Sequence, residues 1–282
     1  MIQLYHDTSF DVSKKITNAY STSFSLGIKA FAKEYRAPVY AIYGFVRLAD
    51  EIVDSFHGYD KSQLLKNFRE ETFEAIKNGI STNPVIHSFQ IVVNNYNIGH
   101  DIIDAFLTSM EMDLNKSSYD RRIYDDYIYG SAEVVGLMCL KVFVNGDEKK
   151  YNELLYPAKM LGSAFQKVNF LRDIKSDIDE RGRIYLPDVH SSESIDDANK
   201  KHLEEEVEKE FHIALLGILK LPIGVKLGVY SAYLYYYVLF RKIKRLNVKE
   251  LLKRRVRISN FTKLALLIKS YWQVKVVKMR FE

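Results

Sequence analysis

Apolar residues recur at intervals of three and four along most of the chain, which is the period of an amphipathic helix. Each of eight long segments with this pattern predicts a helix. The segments are 39–53, 64–76, 102–114, 124–143, 151–178, 198–219, 224–246 and 261–277. Turn-forming residues separate them at 57–60, 78–84, 116–119, 145–148, 182–194 and around Pro222. The pattern predicts an all-α helical bundle.

The composition supports this fold class. Only 5 prolines and 13 glycines occur in 282 residues, too few for the many turns of an all-β protein of this size. No repeat, low-complexity tract or proline-rich linker divides the chain, so we expect one domain over residues 1–282. Cys139 is the only cysteine, which excludes an internal disulfide, and residues 1–11 lack a signal-peptide pattern. We therefore expect a cytoplasmic protein.

The charge is distributed unevenly. Residues 241–282 carry 14 Lys and Arg against 2 Glu, whereas the whole chain has a net charge of +5. This basic segment favours binding to anionic lipid, to phosphorylated substrate or to nucleic acid, or else it is a solvated helix face. Nucleic acid is the least favoured partner because no nucleic-acid-binding motif accompanies the charge. No obligate protein partner is indicated.

The segment 221–240 comes nearest to the length and hydropathy of a membrane span. Pro222 and Lys226 interrupt it, and it contains five tyrosines. We interpret it as a buried or interfacial helix. Together with the basic segment it predicts a peripheral protein at the inner face of an anionic membrane.

Four polar residues lie on one stripe of the otherwise apolar segment 39–54. Tyr43, Arg47, Asp50 and Asp54 are spaced by four, three and four residues, so a helix places them on one face. Burying two carboxylates is unfavourable unless they are paired or coordinate a cation. The alternatives are an internal salt bridge between Arg47 and Asp50 or Asp54 and a Mg²⁺ site completed by substrate phosphate.

A second stripe lies near the end of segment 151–178. Gln166, Asn169, Asp173 and Asp177 are spaced by three, four and four residues. Arg172 adjoins them, and we expect Gly182 to end the helix and to direct the residues after it over the same site. That next stretch contains Arg183 and Tyr185, and Arg181 precedes the glycine.

Two aspartate pairs on separate helices, each with a nearby arginine, favour a shared Mg²⁺ cluster that holds a diphosphate. Several metal ions would neutralise the diphosphate and lower the barrier to its departure. An apolar interior would then keep water from the carbocation left behind. A charged, solvated helix end explains the second stripe less well.

Three stretches of the sequence resemble the head-to-head prenyl synthases, the family of phytoene, squalene and dehydrosqualene synthases. They are YSTSF at 20–24, ADEIVD at 49–54 and FQKVNFLRDIKSDIDERGRIYLP at 165–187. The resemblance implies the isoprenoid synthase fold, a single helical bundle around a central apolar cavity. It also implies Mg²⁺, with Mn²⁺ as an alternative, and a prenyl diphosphate substrate.

The resemblance carries roles to individual residues. It implies metal binding by Asp50, Asp54, Asn169, Asp173 and Asp177. It implies substrate binding by Tyr20, Ser21, Thr22, Ser23, Tyr43, Arg47, Gln166, Arg172 and Tyr235. YIYGSAEVVGLM at 127–138 resembles the central helix of the family and implies that Tyr129 lies at the reaction centre. Glu133 departs from the pattern, because the family usually has a small residue there.

The resemblance is strongest to bacterial phytoene synthases, through SMEMDL at 109–114 and RVRISNFTKL at 255–264. It implies that two geranylgeranyl diphosphates condense through prephytoene diphosphate to phytoene, without NADPH. The alternatives are a squalene or dehydrosqualene synthase that uses farnesyl diphosphate, and a non-catalytic scaffold with the same fold. A metal-dependent phosphohydrolase, suggested by His100 and Asp101, rests on a dipeptide and leaves both stripes unexplained.

Overall fold

The computed structural model describes residues 1–115, 118–189, 191 and 194–276, apart from the side chains of Thr22 and Ser23. These residues are predominantly helical and form no strand, so the predicted all-α class is confirmed. The helices are α1 (Ile2–Tyr20), α2 (Thr22–Lys29), α3 (Lys33–Asp54), α4 (Lys61–Asn78), α5 (Pro84–Tyr96), α6 (His100–Asn115), α7 (Arg121–Ile128), α8 (Val134–Val144), α9 (Glu148–Arg181), α10 (Asp197–Lys220), α11 (Ile223–Ile243), α12 (Val248–Leu251) and α13 (Asn260–Tyr271).

Helix α9 is the long element against which much of the bundle packs. Its 34 residues span about 50 Å at 1.5 Å per residue. The Asp147 side chain caps its start by accepting from the Lys150 N–H, and Gly182 ends it with a φ of +64°. Helices α8, α10 and α11 all pack on it, so α9 places its acidic stripe at the centre of the protein.

Helices α7 and α8 form one continuous helix, Arg121–Val144, joined by a π-helical turn at Tyr129–Glu133. Among the described residues this helix, rather than 221–240, is long and apolar enough to cross a membrane. Because 78% of its most apolar stretch is buried, we interpret it as a core helix. Gly130 permits a close approach: a Cβ there would lie 2.5 Å from the Ala105 carbonyl oxygen of α6.

A cavity of about 1110 Å³ lies between α2, α3, α8, α9, α11 and α13. Along the central helix its lining runs from Tyr127 to Phe143, which is about 24 Å at 1.5 Å per residue. Between them the wall is almost entirely apolar or small, formed by Ser131, Ala132, Val135, Gly136, Cys139 and Leu140. The central apolar cavity implied by the resemblance is therefore present.

The apolar pattern did not reveal α1 or α5. Helix α1 buries small hydroxyl residues, Ser9, Ser13 and Thr17, instead of an apolar stripe. Ser13 packs tightly against Gly44 of α3, where an added Cβ would lie 2.8 Å from the Ser13 Cβ. Helix α5 is short and buried on most of its circumference, so it lacks a polar face that would mark the helical period.

Candidate active site

The two aspartate stripes come together beside one end of the cavity; Asp50 and Asn169 are in its wall, whereas Asp54, Asp173 and Asp177 are not. Arg181, at the end of α9, contacts both stripes: its Nη1 lies 2.6 Å from Asp177 Oδ1 and its Nε lies 3.5 Å from Asp54 Oδ2. Asp54 is the last residue of α3. The structure therefore brings together the residues that the spacing placed on separate helices.

The left-handed turn at Gly182 directs the chain back over this acidic end. Arg183 Nη1 donates to Asp54 Oδ1 at 3.0 Å, and the Tyr185 hydroxyl donates to Asp113 Oδ1 at 2.7 Å. Both side chains are buried. The expectation that Gly182 would place Arg183 and Tyr185 over the same site agrees with this geometry.

Asp113 of α6 is a component that sequence reasoning missed. Tyr185, Tyr127 and Tyr119 all donate hydroxyl hydrogen bonds to it, at 2.7, 2.9 and 3.3 Å. Burial raises the pKa of Asp113, while Arg183 and the tyrosine hydrogen bonds oppose that rise. The signal available in the sequence was an aspartate at a position facing the core of α6.

Asp50 lines the cavity just inside the acidic end. Burial raises the pKa of its carboxyl to about 7; Arg47 opposes the rise, and Asp54 and Asp113 add to it. Burial likewise raises the pKa of Asp177 to about 6, against the effect of Arg181. Carboxylates that repel one another in this way fit a site that binds cations.

The donor set also fits a metal that shares its ligands with a substrate. Among the described residues, no group of three or more His, Cys, Asp or Glu side chains is arranged to hold an ion by itself. Mg²⁺ commonly takes only one or two carboxylates and completes its shell with substrate phosphate and water. The aspartates of the two stripes, with the amide of Asn169 in the cavity wall, match that requirement.

Cationic side chains line the same end of the cavity. Arg172 Nη2 lies 2.5 Å from Asp173 Oδ2, and Arg255 Nε lies 2.7 Å from Asp173 Oδ1. Arg172, Arg255, Arg257 and Lys263 all border the cavity. Part of the basic segment 241–282 therefore faces the site, which the charge count alone did not indicate.

Arg47 occupies a different position from the other arginines. It does not border the cavity; it forms an ion pair with Glu51, lies 3.8 Å from Asp50 Oδ2 and covers the Tyr20 ring at 4.3 Å. The internal salt bridge considered as an alternative is thus present. A phosphate contact by Arg47 stays a prediction.

Most of the residues expected to bind substrate line the cavity: Tyr20, Ser21, Tyr43, Gln166, Arg172 and Tyr235. Ser21 also starts α2, accepting from the Phe24 N–H at 3.3 Å. The Tyr236 hydroxyl donates to Asn169 Oδ1 at 3.2 Å and fixes that amide. The side chains of Thr22 and Ser23 lie outside the described part of the structure.

The role at the reaction centre that the resemblance implies for Tyr129 stays a prediction. Tyr129 is absent from the cavity wall, and the Lys159 ammonium covers its ring at 4.9 Å. Tyr127 lines the cavity instead. Tyr127 and Tyr129 are two residues apart, which is about 200° around a helix, so their side chains point to opposite sides.

Glu133 is also outside the cavity wall. It is buried and lies 3.1 Å from the Lys159 ammonium. Burial raises its pKa, and Lys159 opposes that rise. The departure at Glu133 is therefore accommodated by an ion pair behind the cavity, and the cavity wall keeps its apolar character.

Comparison with known proteins decides the family. Residues 17–262 match the model of the squalene/phytoene synthase family. The chain belongs to this family. Its members are head-to-head prenyl synthases, so the resemblance stated from the motifs is confirmed.

Two sequence relatives are phytoene synthases. Phytoene synthase 1 of Solanum lycopersicum is 30% identical over 184 residues, which is 64% of this chain and 44% of that protein. Phytoene synthase of Arthrospira platensis is 29% identical over 191 residues, 64% of this chain and 61% of that protein. The chain thus matches about half of the length of these relatives.

Solved structures confirm the isoprenoid synthase fold. A dehydrosqualene synthase in complex with ligand has a TM-score of 0.79 at 22% identity, covering 96% of this chain and 98% of its own. A squalene synthase from Alicyclobacillus acidocaldarius has a TM-score of 0.75 at 21% identity, covering 86% and 95%.

The phosphohydrolase alternative has no support in the structure. His100 begins α6 as an exposed residue whose ring contacts Phe73 at 5.5 Å between centroids, and Asp101 is exposed beside it.

The two aspartates that flank the site give different expected effects on stability. Asp50→Asn should lower turnover by more than about 100-fold, because it removes a carboxylate that would hold the metal ions on which the departing diphosphate depends. Without metal, its stability should be unchanged or raised by up to about 1 kcal/mol, because repulsion from Asp54 and Asp113 is removed.

Asp173→Asn is the matched comparison. It should lose as much turnover but also about 1 kcal/mol of stability, because Arg172 and Arg255 lose their carboxylate partner. Urea unfolding in EDTA and turnover with Mg²⁺ measure both quantities. Turnover equal to that of the parent in either variant would contradict the assignment of that residue to the metal site.

The two tyrosines of the central helix provide a second test. Tyr127→Phe should lower kcat at least about tenfold, because its hydroxyl holds Asp113 at the cavity end. Tyr129→Phe keeps the ring beneath Lys159 and should stay close to parental kcat. Steady-state kinetics measures kcat for both variants, and circular dichroism checks that both are folded. A larger loss of kcat in Tyr129→Phe than in Tyr127→Phe would support Tyr129 at the reaction centre.

Proposed function

We propose that the protein condenses two molecules of geranylgeranyl diphosphate head to head and forms phytoene, in carotenoid biosynthesis. The observation that carries the proposal is the apolar cavity that begins at the acidic end and runs about 24 Å along the central helix. A cavity of this depth suits a long prenyl chain, and the phytoene synthases among its relatives support the same product.

The proposed reaction has two ionisations. In the first, the carbon–oxygen bond of one substrate breaks, diphosphate leaves, and the alkene of the second molecule captures the allylic cation; loss of a proton closes the cyclopropane of prephytoene diphosphate. In the second, the remaining diphosphate leaves, the cation rearranges, and loss of another proton gives phytoene. The electrons balance without a reductant, so no NADPH is required.

The residues have distinct parts in this proposal. Asp50, Asp54, Asn169, Asp173 and Asp177 would hold Mg²⁺, or Mn²⁺ in its place. The metal would supply the positive charge that stabilises departing diphosphate.

Four cationic side chains in the cavity wall would bind the diphosphate oxygens and orient the substrate: Arg172, Arg255, Arg257 and Lys263. Arg172 and Arg255 pair with Asp173, so diphosphate bound there would contact both cationic side chains and the carboxylate-bound metal. The charges of this end would thus be balanced when substrate is present.

The rest of the cavity wall would exclude water from the cation. Aromatic rings border the cavity near its acidic end, with Tyr43 packed on Phe24 at 3.7 Å and Phe165 packed on Tyr236 at 4.0 Å between centroids. Aromatic faces attract positive charge. A dry wall of this kind would favour rearrangement over capture by water.

We also propose that the protein works in the cytoplasm as a peripheral protein at the inner face of the membrane. Support comes from the 14 basic residues in 241–282, against 2 acidic ones. Arg254, Lys269 and Lys275 are exposed, whereas the tyrosine-rich part of α11 is mainly buried. The attraction to anionic lipid is therefore assigned to the basic segment and not to the tyrosines.

A product assay tests the reaction. Purified protein with Mg²⁺ and geranylgeranyl diphosphate should form a hydrocarbon with a conjugated triene, and NADPH should not change it. Because proton loss ends the proposed sequence, no hydride donor is needed. A product that requires NADPH would indicate a squalene synthase, and preference for farnesyl diphosphate without NADPH would indicate a dehydrosqualene synthase. Absence of turnover with any of these would favour a scaffold.

Vesicle sedimentation tests the location. Binding to vesicles with anionic lipid should exceed binding to neutral vesicles and should fall as salt rises. Each Lys or Arg near an anionic surface contributes about 1 kcal/mol, and salt screens that attraction. If equal amounts of protein sediment with neutral and anionic vesicles at low salt, the basic segment is a solvated surface and does not bind anionic lipid.

A further inference from the structure

Helix α13 is attached to the bundle by one face only. Ser270 is fully buried, and its Oγ lies 2.6 Å from Ser231 Oγ of α11. In the π-helical turn that follows α13, Trp272–Val276, the Gln273 side chain accepts from the Tyr230 hydroxyl at 3.1 Å and Val274 is buried. These contacts fix which face of α13 points away from the protein.

The opposite face of α13 is apolar and exposed. Phe261 is 82% exposed, the highest value of any aromatic residue described. The other exposed members follow at helical spacing: Leu264, Ile268, Tyr271, Trp272 and Val276. Large contiguous apolar patches on a protein surface mark sites of interaction, so this stripe requires a partner.

The charge around the stripe indicates which partner. Helices α2, α11 and α13 and the turn after α13 contain no Asp or Glu. Lys269 and Lys275 are exposed beside the stripe. Helix α13 therefore has an apolar face flanked by lysines, and the helices next to it carry no carboxylate. This combination is typical of a helix that lies in the interface of an anionic bilayer.

The same face is continuous with the cavity. Leu264 of α13 and Leu26 of α2 both line the cavity, yet they are 57% and 47% exposed. The inner residues of α13, Leu266 and Leu267, also border the cavity. The apolar cavity therefore reaches the surface where α2 and α13 border it, next to the exposed stripe.

We propose that the outer face of α13 inserts into the surface of an anionic bilayer and that the opening beside Leu26 and Leu264 passes the apolar product directly into the lipid. The passage rests on the proposed reaction, whereas insertion deepens the proposed membrane location and does not depend on the reaction. Hydrocarbon that leaves through this opening would meet acyl chains instead of water, which removes the unfavourable step of hydrating it.

The chain provides its own probe, because Trp272 in the stripe is its only tryptophan. Vesicles of phosphatidylglycerol and phosphatidylcholine should shift its emission to shorter wavelength, and lipids with brominated acyl chains should quench it. The double variant Phe261→Ser/Ile268→Ser should bind these vesicles at least about tenfold more weakly, since two inserted apolar side chains are lost.

The matched control is Leu4→Ser/Ile80→Ser. These residues are 72% and 52% exposed, comparable to 82% and 61% for Phe261 and Ile268, but they lie on α1 and after α4. The control should bind and be quenched as the parent is. Thermal unfolding of both variants establishes that each is folded.

Three results would overturn insertion. One is binding to anionic vesicles without any change in Trp272 emission or quenching. Another is equal loss of binding in the two double variants. The third is Trp272 emission at short wavelength that depends on protein concentration without lipid, which would assign the stripe to a second copy of the chain.

Turnover separates the passage from insertion. Vesicles should raise the multiple-turnover rate of the parent but not of Phe261→Ser/Ile268→Ser, while the single-turnover rate of both stays the same. No effect of bound vesicles on parental multiple turnover would overturn the passage. Absence of product in every condition would contradict the proposed function and would leave the Trp272 result standing.

Discussion

Mutual repulsion among carboxylates at one end of an apolar cavity is the constraint on which the site depends. Asp50, Asp54, Asp113 and Asp177 come from three helices, and burial raises the pKa of Asp50, Asp113 and Asp177. Buried carboxylates so close together are stable only when cationic groups pair with them. Without metal, the described residues meet this requirement with arginines, and Arg181 contacts two of the aspartates at once.

The arginines also organise the chain around the site. Arg183 ties the segment after α9 to the end of α3, and Arg255 ties the segment before α13 to Asp173. Elements far apart in sequence thereby converge on one place. A negatively charged ligand would compete with the aspartates for these arginines, so carboxylates and cationic side chains in so small a volume suit the proposed binding of metal together with diphosphate.

The sequence was sufficient for features set within one helix. The spacing of Asp50 and Asp54, and of Asp173 and Asp177, fixes which side chains share a face, and Gly182 ends α9 where its type predicts. Contacts between side chains of different helices could not be predicted from the sequence. Asp113 matters because three tyrosines from other segments meet it, and periodicity carries no information on how separate helices are rotated relative to one another.

The π-helical turn at Tyr129–Glu133 carries a consequence for how such a protein can change over evolutionary time. A π turn contains one residue more than the α-helical register, and each residue rotates a helix by about 100°. The turn therefore sets the phase between Tyr127, which serves the acidic end, and the apolar wall that includes Val135 and Cys139. Because the π turn takes up one residue more than an α-helical turn, a single deletion within it would leave an α-helical turn and keep Tyr127 and the wall close to their present phase, whereas a deletion in the α-helical part after it would rotate the wall.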